Sequence, residues 1–250
     1  MTTNPTRTFV PSRLRHGLCV LLITAAAAVA LARIVAAGTM DGSDRIEVRC
    51  DPILLLLEFF DGVTPPALPS GWSSTTWVTS NSGVPTPPAD TPPNAAFVDD
   101  PATISDKQLL SPNIPFVSDA AFPQVAFRNN FNLQDGFDGG VLEISYDGLT
   151  FQDIVAAGGT FVRGGYNGTI SSCCGNPLAG REAWTGNSGG FIDTTVDLPH
   201  HSGSYILRWR MGSDSSVSGE GWRVDNVAIT QCYTPRGRRG QPTPHPRPTP

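Results

Sequence analysis

The sequence predicts an all-β protein, a two-sheet antiparallel β-sandwich with a signal segment before it and a Pro-rich tail after it. Three observations carry this. Period-two alternation of apolar and polar residues recurs along the chain, and no amphipathic helix of useful length interrupts it. Gly (26) and Pro (23) together supply 49 of 250 residues, roughly twice their usual share of about 12%. Hydrophobic residues still make up 39%, with five Trp and twelve Phe, too apolar for a wholly disordered chain. The same mixture excludes a helical bundle or coiled coil, and no Gly-X-Y repeat points to collagen.

The ends are set apart first. Arg7, Arg13 and Arg15 precede the apolar run GLCVLLITAAAAVALA at residues 17–32. Ala30-Leu31-Ala32 offers a small-residue cleavage site, and Val35-Ala36-Ala37 a later one, so residues 1–32 read as a secretory signal peptide. The alternative is an uncleaved membrane anchor. Arg33 ends the run after 16 residues, short of the roughly 20 that a spanning helix needs, which favours cleavage and a secreted or cell-surface location. Residues 33–49 form a short linker. At the other end, residues 234–250 (TPRGRRGQPTPHPRPTP) alternate Pro with polar residues and predict an extended tail.

The intervening domain, residues 50–233, carries 19 Asp and Glu against 7 Lys and Arg, a net charge of −12. Such a surface repels phosphate backbones, which argues against nucleic acid. It suits hard cations, because Ca²⁺ takes carboxylate and carbonyl oxygens. Four cysteines follow the signal segment: Cys50, Cys173, Cys174 and Cys232. An even number in an exported chain favours disulfides, with three connectivities open. Cys50 and Cys232 bracket the domain as a clasp between first and last strands would; the adjacent Cys173 and Cys174 are left open.

The strands follow in order. Residues 53–60 (ILLLLEFF) are apolar on both faces, as in a buried strand. Residues 124–133 form a second strand and residues 141–146 (VLEISY) a third, with a turn at Asp147-Gly148 leading into residues 151–155. Residues 204–211 alternate cleanly: Tyr205, Leu207, Trp209 and Met211 on one face, Ile206, Arg208 and Arg210 on the other. Residues 221–231 (GWRVDNVAITQ) make the last strand. Residues 85–101 are too rich in Pro for a central strand and read as a surface loop.

Five motifs then occur in order: EFFDGVTPPALPSGW at 58–72, FDGGVLEISYDGLTFQDI at 137–154, NPLAGREAWTG at 176–186, LRWRMGSD at 207–214 and GWRVDNVAI at 221–229. Together they resemble the MAM-like and cleaved-adhesin-like domains that accompany bacterial secreted peptidases and surface proteins. The resemblance covers about residues 54–230. It implies a two-sheet antiparallel jelly-roll β-sandwich, non-catalytic, with structural calcium.

Candidate chemistry is sparse. Residues 186–190 (GNSGG) fit G-x-S-x-G, but no strand followed by a helix surrounds Ser188, and His200 and His201 offer no triad geometry. No P-loop, dinucleotide fingerprint or H-E-x-x-H is present, and acidic pairs that would suit glycoside hydrolysis arise by accident in so acidic a chain. The expectation is therefore no enzyme. Glu58 falls in an otherwise apolar row, and Asp225 shares a face with Val227 and Ile229. An ionised carboxylate inside a sandwich needs a cation or hydrogen bonds. If the first and last strands are neighbours, the two like charges meet, and Ca²⁺ between them removes the repulsion. The resemblance implies the same Glu-and-Asp pair. Asp100 and Asp138 are chosen as further ligands from a set that includes Asp61, Asp99 and Asp135. The competing reading pairs these carboxylates with solvent or arginine.

Trp72, Trp77, Trp184 and Trp222 offer platforms for a glycan or protein surface, whereas Trp209 belongs to the core. Trp184, beside Arg181 in a Gly-rich stretch, is the first candidate contact, and the loop at 164–190 the candidate recognition region. Two functional classes result: an extracellular binding or adhesion module, or an ancillary structural domain with no ligand of its own.

Overall fold

The computed structural model describes residues 51–116 and 120–233. The signal segment, the linker, Cys50 and the Pro-rich tail lie outside the described residues.

Strand β14 (Gly221–Tyr233) organises the larger sheet. On one flank it pairs with β6 (Ala120–Asn132), which pairs with β12 (Ile192–Asp197), and β12 pairs with β9 (Thr160–Arg163). On its other flank it serves two strands in succession. Trp222–Val224 face β3 (Ala95–Val98), itself paired with β2 (Val78–Ser80), and Val227–Tyr233 face β1 (Asp51–Glu58). The second sheet runs β4 (Ser105–Leu110), β13 (Ser204–Ser213), β7 (Gly139–Ser145), β8 (Gln152–Asp153), with β5 (Ile114–Pro115) on β13. A small ribbon, β10 (Gly168–Thr169) and β11 (Glu182–Ala183), completes the set. Every pairing is antiparallel, the two-sheet sandwich that the alternation predicts.

The inward residues of β13 behave as their spacing requires: Tyr205, Leu207, Trp209 and Met211 are buried, while Arg208 and Arg210 point outward and are half-buried. They meet Val125, Phe127, Trp222, Val224, Val227 and Ile229 from the larger sheet in one continuous core. Removing this apolar area from water supplies the main driving force for folding. The layers approach closely over β7. A Cβ at Gly140 would stand 2.5 Å from the Trp222 ring, and one at Gly139 2.5 Å from Ile170. The glycine pair thus serves close packing.

Three expectations change. Strand β1 is not buried on both faces: Leu54 is 51% and Leu57 38% exposed. It pairs only with β14, and a register shift between Leu54 and Leu56 breaks the alternation that the sequence suggests. The 85–101 segment is more than a surface loop, since it contains β3 and its carbonyls hold a buried side chain. Arg223 is fully buried and donates from Nε to Pro85 O (3.0 Å), from Nη1 to Pro88 O (2.9 Å), and from Nη2 to Ser82 O (2.7 Å) and Val84 O (3.1 Å). Its guanidinium also lies over the Phe97 ring at 4.5 Å. Prolines have no N–H to offer but keep their carbonyls, so a Pro-rich turn makes a suitable acceptor cup for one arginine. Finally, the 164–190 loop is packed. Ile170, Leu178 and Ala183 cover Val141, and Asn176 Nδ2 donates to Phe137 O (2.7 Å) and Gly212 O (2.9 Å).

Gly140→Ala should destabilise the fold by about 1–3 kcal/mol, the usual cost of overpacking a core. Urea unfolding followed by Trp fluorescence measures it, and a change within about 0.5 kcal/mol contradicts the close approach.

Candidate functional site

The outer face of the second sheet carries a row of charges. Register sets Glu143 of β7 between Arg208 of β13 and Asp153 of β8. Arg208 Nε donates to Glu143 Oε2 (2.5 Å), and Arg181 reaches in to donate to Glu143 Oε1 (2.5 Å) and Asp153 Oδ2 (2.7 Å). Arg210 clasps Asp106 through two bonds of 2.8 Å. Arg208 also donates to Gln108 Oε1 (3.0 Å), with its guanidinium 3.9 Å from the Phe151 ring centre. Three arginines thus neutralise three carboxylates. The bidentate geometry holds the side chains in place, and Glu143, only 2% exposed, is kept paired as a buried charge must be. Beside this network, at β4, Ser73, Ser74, Thr75, Asp106, Gln108 and Leu110 line an open cavity of about 350 Å³.

Asp225 sits where the flank of β14 changes partner. The ladder to β6 shifts register between Asp225 and Ala228, and Asn226 takes a positive φ of 51°. This break lies between the end of β1 and the start of β3, and the chain joining them (residues 59–94) returns to fill it. Asp225 is fully buried, and its carboxylate accepts the N–H groups of Asp90 (2.8 Å), Thr91 (3.0 Å) and Asn226 (2.7 Å). Burial pushes its carboxyl up to about 7, against those three hydrogen bonds and with the help of nearby Asp61. Glu58 ends β1 opposite Val227, half-buried, and accepts the Phe60 N–H at 2.7 Å. Asp61 accepts the Asn94 N–H (2.8 Å), while the buried Oδ1 of Asn94 has no partner. The first and last strands are indeed neighbours, and Asp61 is the carboxylate that acts on Asp225.

Asp100 and Asp138 lie elsewhere. Since Val98 pairs with Trp222, Asp100 falls five positions from Asp225 along β14, about 16 Å at strand rise. The four predicted ligands therefore divide into two places. At the second, Asp100 Oδ2 accepts the Gly219 N–H (3.0 Å), and Asp138 Oδ1 accepts the Asp214 N–H (2.6 Å). Burial and the charges of Asp100 and Asp214 raise the Asp138 carboxyl to about 8, and burial raises Asp100. Asp214 is the member of this group that the sequence reading missed; its place beside the others follows only from how β13 ends. Among the described residues, no three His, Cys, Asp or Glu side chains already converge as a metal-holding group.

Trp184 is not an exposed contact. It is fully buried, donates from Nε1 to Gly164 O (2.9 Å), and packs among Phe127, Phe161, Tyr166 and Trp222. Trp72, Trp77 and Trp222 are buried as well. A short Gly-rich stretch looks exposed in sequence, but the indole is enclosed by aromatic rings from several strands and the loop before it. Arg181 is spent on Glu143 and Asp153. Ser188 receives the Phe131 N–H (2.9 Å) and donates to Gly190 O (2.8 Å), pinning a loop. Cys173 and Cys174 are bonded to each other, which the sequence left open. Cys232 stands opposite Pro52 in the β1–β14 ladder.

No family model matches the chain, and no curated protein does. Among solved structures, a cleaved adhesin domain of Lys-gingipain from Porphyromonas gingivalis is similar, with 16% identity and a TM-score of 0.42 over 70% of this chain and 96% of that one. The CBM22-1 xylan-binding domain from Paenibacillus barcinonensis is 9% identical, with a TM-score of 0.41 over 73% of this chain and 97% of that one. TmCBM61 in complex with beta-1,4-galactotriose is 11% identical, with a TM-score of 0.40 over 65% and 89% of the two chains. At such values the function has to be argued from this chain's own geometry.

In chelator, stability should fall as pH rises. The folded Asp225 carboxyl titrates at about 7 and the unfolded one near 4, so the folded state holds the proton more tightly and its advantage is lost between those values. Thermal midpoints measured from acid to neutral pH should decline, and Asp225→Asn should flatten part of that slope. An unchanged slope in the variant contradicts the burial of this carboxyl.

Proposed function

We propose that the chain is a secreted or cell-surface, non-catalytic binding module whose ligand surface is the outer face of the second sheet. The observation that carries this is the cavity at β4. Ser73, Ser74 and Thr75 line it together with Asp106 and Gln108, and the last two are held by Arg210 and Arg208. Hydroxyl, amide and carboxylate groups on a rigid sheet are the chemistry that reads a neutral glycan's hydroxyls, and preorganisation lowers the cost of binding. With Trp184 buried and Arg181 paired, recognition moves from the predicted loop to this face. An exposed disulfide at Cys173–Cys174 supports an oxidising, extracellular setting, and we retain Cys50–Cys232 as the proposed clasp.

A structural calcium belongs to the same reading, at the Asp225 end. What supports it is that the charge of Asp61 acts on Asp225 and that the buried Asn94 Oδ1 has no hydrogen-bond partner. Glu58, Asp61, Asn94 and Asp225 would hold it. When bound, it supplies the positive charge that this inward acidic group lacks, and it ties residues 59–94 to β14.

The second reading is a structural domain with no ligand. It draws on the mutual neutralisation of the arginine–carboxylate row, which leaves no spare charge. A glycan array probed with the secreted chain separates the two. Selective binding to neutral polysaccharide, weakened about tenfold or more by Gln108→Ala, the cost of roughly one lost hydrogen bond, supports the module. Silence across the array, or binding indifferent to Gln108→Ala and Asp106→Asn, rejects this face as the site.

A further inference from the structure

We infer that the Cys173–Cys174 disulfide is a site of thiol–disulfide exchange with thiols of low molecular weight, in which Cys174 Sγ is attacked and Cys173 leaves as a thiolate beside the Ser171 hydroxyl. The two residues are bonded to each other, and residues 172–175 are all exposed. Both flanks of this tip are anchored. The Ser171 N–H donates to Gly136 O (2.7 Å), and the buried Asn176 donates from Nδ2 to Phe137 O (2.7 Å) and Gly212 O (2.9 Å). The sulfurs are thus presented to solvent on a short turn whose ends belong to the packed domain.

Stability does not account for this bond. A disulfide stabilises mainly by closing a loop of chain and so restricting the unfolded state, and the effect grows with the length of the loop. Neighbours in sequence close no such loop, and this bond ties no strand of the sandwich to another. Exchange, by contrast, needs a sulfur that an attacking thiolate can reach, and exposed disulfides are the labile ones. Neither glycan binding at β4 nor the Cys50–Cys232 clasp bears on this site.

One hydroxyl makes the two sulfurs unequal. Ser171 Oγ donates to Cys173 Sγ (3.3 Å) and accepts the Cys173 N–H (3.3 Å), so it is held against that sulfur. A hydrogen bond to an ionised acceptor is stronger than one to a neutral acceptor, and exchange is faster the better the departing thiolate is stabilised. The favoured step follows. An external thiolate attacks Cys174 Sγ and forms a new S–S bond to it; the Cys173–Cys174 bond breaks, and its electron pair stays on Cys173 Sγ, where the Ser171 hydroxyl already donates. Cys173 then takes a proton from water. A second external thiolate attacks the first one's sulfur in the adduct and releases Cys174, which is protonated in turn. Two small thiols are oxidised to one disulfide, and the protein disulfide is reduced to two thiols.

The test treats the full secreted chain, folded, with β-mercaptoethanol for short times, quenches in acid, alkylates, and locates each adduct by peptide fragmentation; the peptide carrying Cys232 is read separately. The pair should open while the domain stays folded, with the mercaptoethanol adduct on Cys174 and the alkyl group on Cys173. Ser171→Ala should slow opening about fivefold, the worth of roughly one hydrogen bond, and Ser171→Thr, which keeps a hydroxyl, should restore the rate. A pair that stays closed in the folded protein overturns the proposal, as does an adduct carried mainly by Cys173. Opening that unfolds the domain makes the bond structural and overturns it too. So does a rate that Ser171→Ala leaves unchanged, or one that Ser171→Thr fails to restore.

Discussion

Strand β14 and its break at Asp225–Asn226 are the constraint on which the rest of the sandwich depends. One flank of this strand serves β3 and then β1, so the sheet stays in register only if the change of partner is held at a fixed place. A carboxylate receiving three backbone N–H groups holds it there, because leaving those donors or that charge unpaired inside the sandwich would cost more than the bulge. Three residues earlier, Trp222 fills the space over Gly140, and Arg223 reaches the other way to gather four carbonyls of the Pro-rich segment. A stretch of four residues thus sets the core, a long excursion and the junction of two strands.

The distribution of polar groups follows from this. Inward carboxylates collect where loops converge on the start of β14 and on its break at Asp225, whereas on the outer face of the second sheet arginines and acids neutralise one another. All five tryptophans are buried, so the proposed ligand surface rests on hydroxyls, amides and paired charges rather than on indole platforms. Sheet strands, which are rigid, hold those groups better than a loop would. That is the physical reason for placing recognition at β4.

Much of the fold was legible in the sequence, because burial imposes a period of two on strands with one wet face. Tyr205 to Met211 alternates without error, and the last strand ran only two residues further than its pattern. The short strands β2, β5, β10 and β11 left too little pattern to read, and β3 was hidden among prolines. The edge strand β1 misled because apolar character was taken for burial, while Leu54 and Leu57 on either side of its register shift are exposed. Glu58 and Asp225 were legible as anomalies in their rows: Asp225 is buried and Glu58 half-buried, whereas Asp100 and Asp138, both buried, had no such signal. The grouping of the four was not legible, since it depends on β3 and β1 sharing one flank of β14. Trp184 was misplaced for a related reason, as the rings that enclose it, Phe127, Phe161, Tyr166 and Trp222, come from distant parts of the chain.

The most direct measurement is a calcium anomalous difference map from crystals grown in millimolar calcium. The proposed calcium predicts one peak, beside Asp225 and Asp61. A map with no peak there, and with the two carboxyls unbridged, would contradict the proposal that a cation holds the break in β14.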